Sequence, residues 1–204
     1  MRKLLIILPL IIAVPLLAQN LPKEAPGKAD PKRVTAGNYV VEPTHTLVGW
    51  TVTHFGFNDY FGIIGSPTGT MTLDPAKLNA ATLLIDIPIG EFTSANAKLT
   101  EHMKSADFFD FAKFPAAKFV STKVVAKGQT ALIQGNLTIK GVTKPVTLNA
   151  KFTGAGINGF SKKETIGFSA TTSIKRSDWG IGYGIPLVSD NVDLRITAAF
   201  EKTG

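Results

Sequence analysis

Val192-Asp193-Leu194-Arg195-Ile196-Thr197-Ala198-Ala199-Phe200-Glu201 is the stretch on which the fold turns. Val192, Leu194, Ile196, Ala198 and Phe200 recur at every second position, with Asp193, Arg195, Thr197 and Glu201 opposed to them. A period of two is that of a strand with one apolar and one wet face. The same stripe recurs upstream as Ile166-Phe168-Ala170-Thr172-Ile174, as Val142 through Val146 with Leu148 and Ala150 to Phe152, and as Ala131-Ile133-Gly135-Leu137-Ile139. Nearer the start, Ala81-Leu83-Ile85-Ile87-Ile89 is opposed by Thr82 and Asp86, and Val48-Trp50-Val52-His54 by Thr51 and Thr53. Tyr39–Val41, Gly69–Leu73 and Ala117–Val125 complete eight or nine strands. Asp74-Pro75, Lys127-Gly128, Lys140-Gly141 and Asn158-Gly159 are the turn signals between them. A one-residue slip would turn each stripe towards water, so the register is well specified.

One segment breaks the alternation. Between Ser94 and Asp107, Leu99, His102 and Met103 fall at helical spacing, with Lys98, Glu101 and Lys104 facing solvent. The spacing predicts a short helix capped by Ser94. A tight aromatic stretch follows, Phe108-Phe109-Asp110-Phe111, closed by Phe114-Pro115. Many short antiparallel strands with one helical insertion make an all-β domain, either a closed barrel or a two-sheet sandwich. Closure removes the edges that template aggregation, and eight strands leave room for packed side chains or one small ligand.

Outside this domain the chain is simpler. Arg2 and Lys3 precede an uncharged apolar run from Leu4 to Leu17, then Ala18, Gln19 and Asn20, which is the layout of a secretory signal over residues 1–18. Cleavage after Ala18 makes the mature protein periplasmic or secreted; an uncleaved anchor is the less favoured alternative, because the run falls short of the roughly 20 apolar residues of a spanning helix. Residues 19–36 carry Pro22, Pro26 and Pro31 and read as an extended, mobile linker; residues 37–204 read as one domain. With no cysteine in 204 residues, disulfides, thiolate metal sites, a cysteine nucleophile and a lipidated cysteine are excluded. The formal charge of +7 falls to +5 without Arg2 and Lys3, and the lysines are dispersed. That excludes a nucleic-acid patch and leaves a solvated basic surface, with transient attraction to anionic membrane headgroups as the minor reading.

Chemistry finds little purchase. His45, His54 and His102 have no partners at metal-ligand spacing, so no metal is expected. No Gly-x-Ser-x-Gly elbow occurs. Asp86 points outward by parity. Gly154-Ala155-Gly156-Ile157-Asn158-Gly159 matches a dinucleotide loop only on paper, because Phe160-Ser161-Lys162-Lys163 runs into another strand instead of opening a helix. No cofactor and no catalytic set is read. The aromatic balance, thirteen phenylalanines against three tyrosines, is strongly apolar. The cluster at Phe108–Phe114 either plugs a barrel end or lines the entrance of an apolar cavity.

Taken in order, several motifs resemble the YceI-like family of exported barrel proteins. They are Tyr39-Val40-Val41-Glu42-Pro43-Thr44-His45-Thr46, Trp50-Thr51-Val52-Thr53-His54-Phe55-Gly56 with the later Gly62, and Leu99 through Asp110 with Phe114-Pro115. Gly135 through Val146, Lys175-Arg176-Ser177-Asp178-Trp179-Gly180-Ile181 and Ser189-Asp190-Asn191-Val192 complete the set. The chain departs from the family pattern at Lys98, Thr100 and Glu101, where an Arg-Asp pair is usual, at Thr46 for serine, and at Trp50 for phenylalanine. The resemblance implies a closed, eight-stranded, lipocalin-like barrel whose elongated pocket holds a polyisoprenoid, an isoprenoid quinone or a fatty-acyl amide, without catalysis. Strand parity places Trp50, Val52, His54, Met71, Ile85, Ile87, Phe119 and Phe168 along such a pocket. Met103, Phe108, Phe109 and Phe111 would form its mouth, and His54 is the first candidate for a headgroup contact. Two other readings stand beside it: an enzyme or redox partner acting on a bound quinone, and a structural barrel with a filled core.

Overall fold

The computed structural model describes residues 23–203, so the expected signal segment lies outside the described residues. The strands are β1 (Gly37–Val41), β2 (Leu47–His54), β3 (Asn58–Ile64), β4 (Thr68–Leu73), β5 (Thr82–Pro88), β6 (Phe92–Thr93), β7 (Ala116–Lys127), β8 (Thr130–Ile139), β9 (Val142–Ile157), β10 (Glu164–Lys175) and β11 (Asn191–Lys202). Among the described residues one α-helix, α1 (Ala97–Lys104), interrupts them. All pairings are antiparallel, and the order β1-β4-β5-β7-β8-β9-β10-β11 closes on itself through β1 and β11, an eight-stranded barrel.

The eleven strands make eight staves because the first three are bent. β1 and β2 lie in succession along β11, Val41 opposite Phe200 and Leu47 opposite Thr197. Between them the ladder is bridged by a side chain: Thr46 Oγ1 donates to the Glu42 carbonyl at 2.7 Å and accepts from the Ala199 amide at 3.1 Å. β3 and β4 likewise follow one another on β2 and β1, with Gly65-Ser66-Pro67 at the bend. β5 turns through Ile89–Glu91 into β6, which pairs with β3. The outer halves β2, β3 and β6 thus flare from the barrel as a short sheet.

The two ends differ. At one, which we call the strap end, lie the start of β1, the β7–β8 turn, the β9–β10 loop and the segment before β1. At the other lie α1, Phe108–Phe114 and the loop from Arg176 to Asp190. The β8–β9 turn at this far end is a two-residue hairpin with both Lys140 and Gly141 at positive φ, the backbone that matches the twist of paired strands.

Three features depart from the sequence expectation. β3 was absent from it because Asn58-Asp59-Tyr60-Phe61-Gly62-Ile63-Ile64 does not alternate; Phe61 and Ile63 face outward, and Gly62 leaves its inward place to the Trp50 ring, which a Cβ there would strike. The helix is capped by Asn96, whose Oδ1 accepts from the Leu99 amide at 3.1 Å, and not by Ser94, which accepts from the Asn96 amide in the turn before it. Finally, the described part of the 19–36 segment is held to the barrel. Lys28 bridges to Ala155, with two backbone hydrogen bonds of 3.1 and 2.9 Å, and Pro31–Arg33 forms a single 3-10 turn. The glycines of Gly154-Ala155-Gly156 serve this docking, since a Cβ on Gly156 would collide with the Pro26 carbonyl.

Candidate functional site

Inward side chains of the strands do not meet across the barrel. They enclose a cavity of about 260 Å³, against the roughly 10–15 Å³ that one water molecule requires. Met71, Ile85, Phe119, Ile133, Leu148, Phe168, Leu194 and Ile196 are among its lining residues. Several of these, such as Ile85, Leu148 and Ile196, are only half-buried although they point inward, because they border open space and not another side chain. Among the described residues the one ionisable lining residue is Lys151, at the rim; Thr46, Ser169 and Thr172 add hydroxyls to a mostly hydrocarbon wall, and Gln129 and Thr130 stand at the opening. Gly135 enlarges the space on one side by letting the Phe119 ring lie flat over the β7–β8 pair, where any Cβ would meet that ring.

The cavity reaches the surface at the strap end. Its exposed lining residues are Pro31, Pro75, Gly128, Gln129, Thr130 and Lys151, contributed by the strap, the β4–β5 connection, the β7–β8 turn and β9. The far end is closed. Ile89, Phe108, Ala117, Leu137, Ile139, Trp179 and Ile181 are packed and buried there, and the Trp179 indole N–H donates to the Leu137 carbonyl at 3.1 Å.

Of the residues placed in the pocket by parity, Met71, Ile85, Ile87, Phe119 and Phe168 border the cavity. Trp50, Val52 and His54 do not, and this corrects the expectation. Trp50 stacks on Phe92 at 5.0 Å in a core with Val48 and Ile64 that adjoins the cavity through Val48, and Val52 packs against the same group. His54 is exposed at the strand end, its ring 4.5 Å from that of Phe55. Nor do Met103, Phe108, Phe109 and Phe111 form a mouth. Phe108 is buried in the closed end, Met103 and Phe109 pack between the two upper cores, and Phe111 lies half outside against Gly90. The segment is the plug of the two readings considered. Parity could not tell these apart, because it assigns a face and not a height along a bent stave. The strap residues Pro31 and Val34, which also border the cavity, went unnoticed in a proline-rich stretch; the paired glycines at 154 and 156 were the available sign that another backbone comes close.

Two polar groups shape the ends. At the closed end the Arg176 guanidinium, 7% exposed, donates to the carbonyls of Ser189, Ile181, Tyr183 and Val188 at 2.8–3.0 Å, gathering the whole loop around one cation. At the strap end Glu164 accepts from the Thr35 amide at 2.8 Å and the Thr35 hydroxyl at 2.6 Å, with the Tyr39 hydroxyl 2.8 Å away and Lys202 at 3.9 Å. Burial pushes the Glu164 carboxyl up, but these hydrogen bonds outweigh it and hold the group below its ordinary range. Burial and the neighbouring carboxylate push the Tyr39 phenol up to about 12. His102 is paired with Asp107 at 3.0 Å and His45 with Glu42 at 2.8 Å, both near the surface. Among the described residues no three His, Cys, Asp or Glu side chains gather as a metal site would require.

A closed antiparallel barrel around a hydrocarbon-walled hollow, opening at one end, defines a lipocalin-like architecture. The chain belongs to the YceI-like family: the model of the YceI-like domain matches residues 39–200. A UPF0312 protein of Pseudomonas putida (strain W619) is 40% identical over 157 residues, covering 76% of this chain and 81% of the relative. The crystal structure of a Campylobacter jejuni YceI protein matches with a TM-score of 0.65 at 28% identity, over 74% of this chain and 90% of that one. A polyisoprenoid binding domain from Saccharophagus degradans shares the fold with a TM-score of 0.63 at 12% identity, over 81% of this chain and 98% of that one.

Proposed function

We propose that this protein is an exported carrier that holds one long apolar lipid of isoprenoid type in the barrel and releases it unchanged. The observation that carries the reading is the hollow itself, about 260 Å³ of space with apolar walls. A hydrocarbon tail in the hollow gains dispersion contacts with its walls, about 0.1–0.2 kcal/mol for each well-placed atom pair and large only in sum. Transfer from water adds about 0.8 kcal/mol per CH₂ buried. That term is absent when the tail comes from a bilayer, so uptake from a membrane rests on the fit of the tail to the hollow. The Saccharophagus degradans domain of the same fold binds polyisoprenoid, which supports the ligand class. The secretory pattern of residues 1–18 supports export.

The test is organic extraction and native mass spectrometry of the protein purified from its own exported fraction, beside a Leu148→Trp variant that narrows the hollow from β9. The expected result is a co-purifying long-chain lipid with the unaltered protein and markedly less, or a shorter-chain one, with the variant. Protein that carries no lipid and takes up no polyprenyl or fatty-acyl probe overturns the reading.

A further inference from the structure

The charges around the opening are unevenly distributed. Next to the exposed lining residues stand Lys32 and Arg33 beside Pro31, Lys77 between Pro75 and Leu78, Lys127 beside Gly128, and Lys151 itself. Among the described residues, Lys32, Lys77, Lys127 and Lys151 make no ion pair. The two carboxylates of the rim, Asp30 and Asp74, are turned into their own loops, accepting from the amides of Lys32 at 3.0 Å and Ala76 at 2.9 Å. Glu24, Glu164 and Glu201, further out, face Lys28, Lys202 and Lys163. At the closed end Lys104 faces Glu101 and Lys113 faces Asp110, and although Lys98, Lys140, Lys144 and Lys175 make no ion pair among the described residues, Glu91, Asp107, Asp178 and Asp190 share that end with them. The rim also presents apolar tips, Pro31, Val34, Pro75 and Leu78, that continue directly into the hollow.

From this we infer that the strap end is a docking face for an anionic lipid bilayer, set down so that the opening meets the leaflet and the tail passes between membrane and barrel without crossing water. The inference rests on the carrier reading and adds an orientation to it. Lysines on flexible stems within a Debye length of anionic headgroups attract without needing fixed geometry. The apolar tips then lie at headgroup depth, where the chain of a lipid begins. The described chain starts at this same end, with Pro26 and Lys28 lying on β9. A competing apolar surface exists at the β2–β3 hairpin, where Phe57 and Phe61 are 88% and 71% exposed and the exposed Leu187 is held to Phe55 by a backbone hydrogen bond. It lies away from the opening, beside Asp59.

The experiment is flotation of the exported chain with vesicles of phosphatidylglycerol and phosphatidylethanolamine, against vesicles of phosphatidylcholine alone. The expected result is binding to the anionic vesicles only, weakened by 0.5 M salt. Lys32→Gln, Lys77→Gln and Lys127→Gln together should weaken it about a hundredfold, at roughly a fivefold factor per charge. Lys98→Gln, Lys144→Gln and Lys175→Gln, towards the other end, should leave it unchanged. Uptake of a fluorescent fatty-acyl probe without vesicles should be equal in all three proteins; its absence from all would sink the carrier reading, while the rim contrast still decides the docking face. Docking is overturned if the rim triple floats like the unaltered chain, or if Phe57→Ser with Leu187→Ser abolishes flotation in its place.

Discussion

Arg176 is a single side chain on which a whole loop depends. Its four carbonyl partners come from residues 181–189, and a guanidinium is the one group that can reach them from a fixed plane. Arg176→Met leaves those carbonyls without donors; allowing for some rehydration, it should cost about 3 kcal/mol in urea unfolding. Arg176→Lys should restore little, since an ammonium cannot span the same acceptors. Glu164 acts at the opposite end through its protonation. Its folded-state pKa is depressed, so its contribution is complete above the ordinary value of 4.5 and is lost as the pH falls through the lower, folded value. Hydrogen exchange of residues 28–36 should therefore quicken in acid, and Glu164→Gln should remove that dependence. Tyr39 has the reverse sign: its raised pKa gives a contribution present below 10.0 and lost as the pH climbs towards about 12.

Among the elements, the strap is the piece whose attachment can be tested alone. Gly156→Val puts side-chain atoms where the Pro26 carbonyl lies, while β9 itself favours a β-branched residue. Limited proteolysis should then cut within residues 26–36 at a rate at least tenfold higher, with the barrel's own unfolding midpoint little changed. The strap also shows how far a sequence can be read. β8, β9, β10 and β11 were legible because alternate residues face two very different media, and the inward places of Met71, Ile85, Ile87, Phe119 and Phe168 followed from it. What stayed hidden depends on contacts distant in the chain. The bends at Thr46 and Gly65–Pro67 carry Trp50, Val52 and His54 past the cavity, and the plug at Phe108 packs with Trp179, some seventy residues later. No local period encodes either.

At the scale of the molecule, an open hollow couples stability to ligand. A lipid that binds the folded barrel and not the unfolded chain raises apparent stability by RT ln(1 + [L]/Kd), about 2.7 kcal/mol at a hundredfold excess over Kd. Protein stripped of lipid by organic extraction and refolded should thus melt lower than the purified form, and added polyprenyl or fatty-acyl compound should restore the difference. Leu148→Trp, with the hollow narrowed, should show a smaller difference with and without the addition.

The seam between Gly37–Val41 and the final strand has a consequence for biogenesis. The first stave to leave a ribosome or an export channel waits for the last, and until Asn191–Lys202 has emerged the sheet is an unrolled ribbon with two bare margins. A nonsense mutation anywhere before residue 191 yields no smaller barrel, only a ribbon that cannot close.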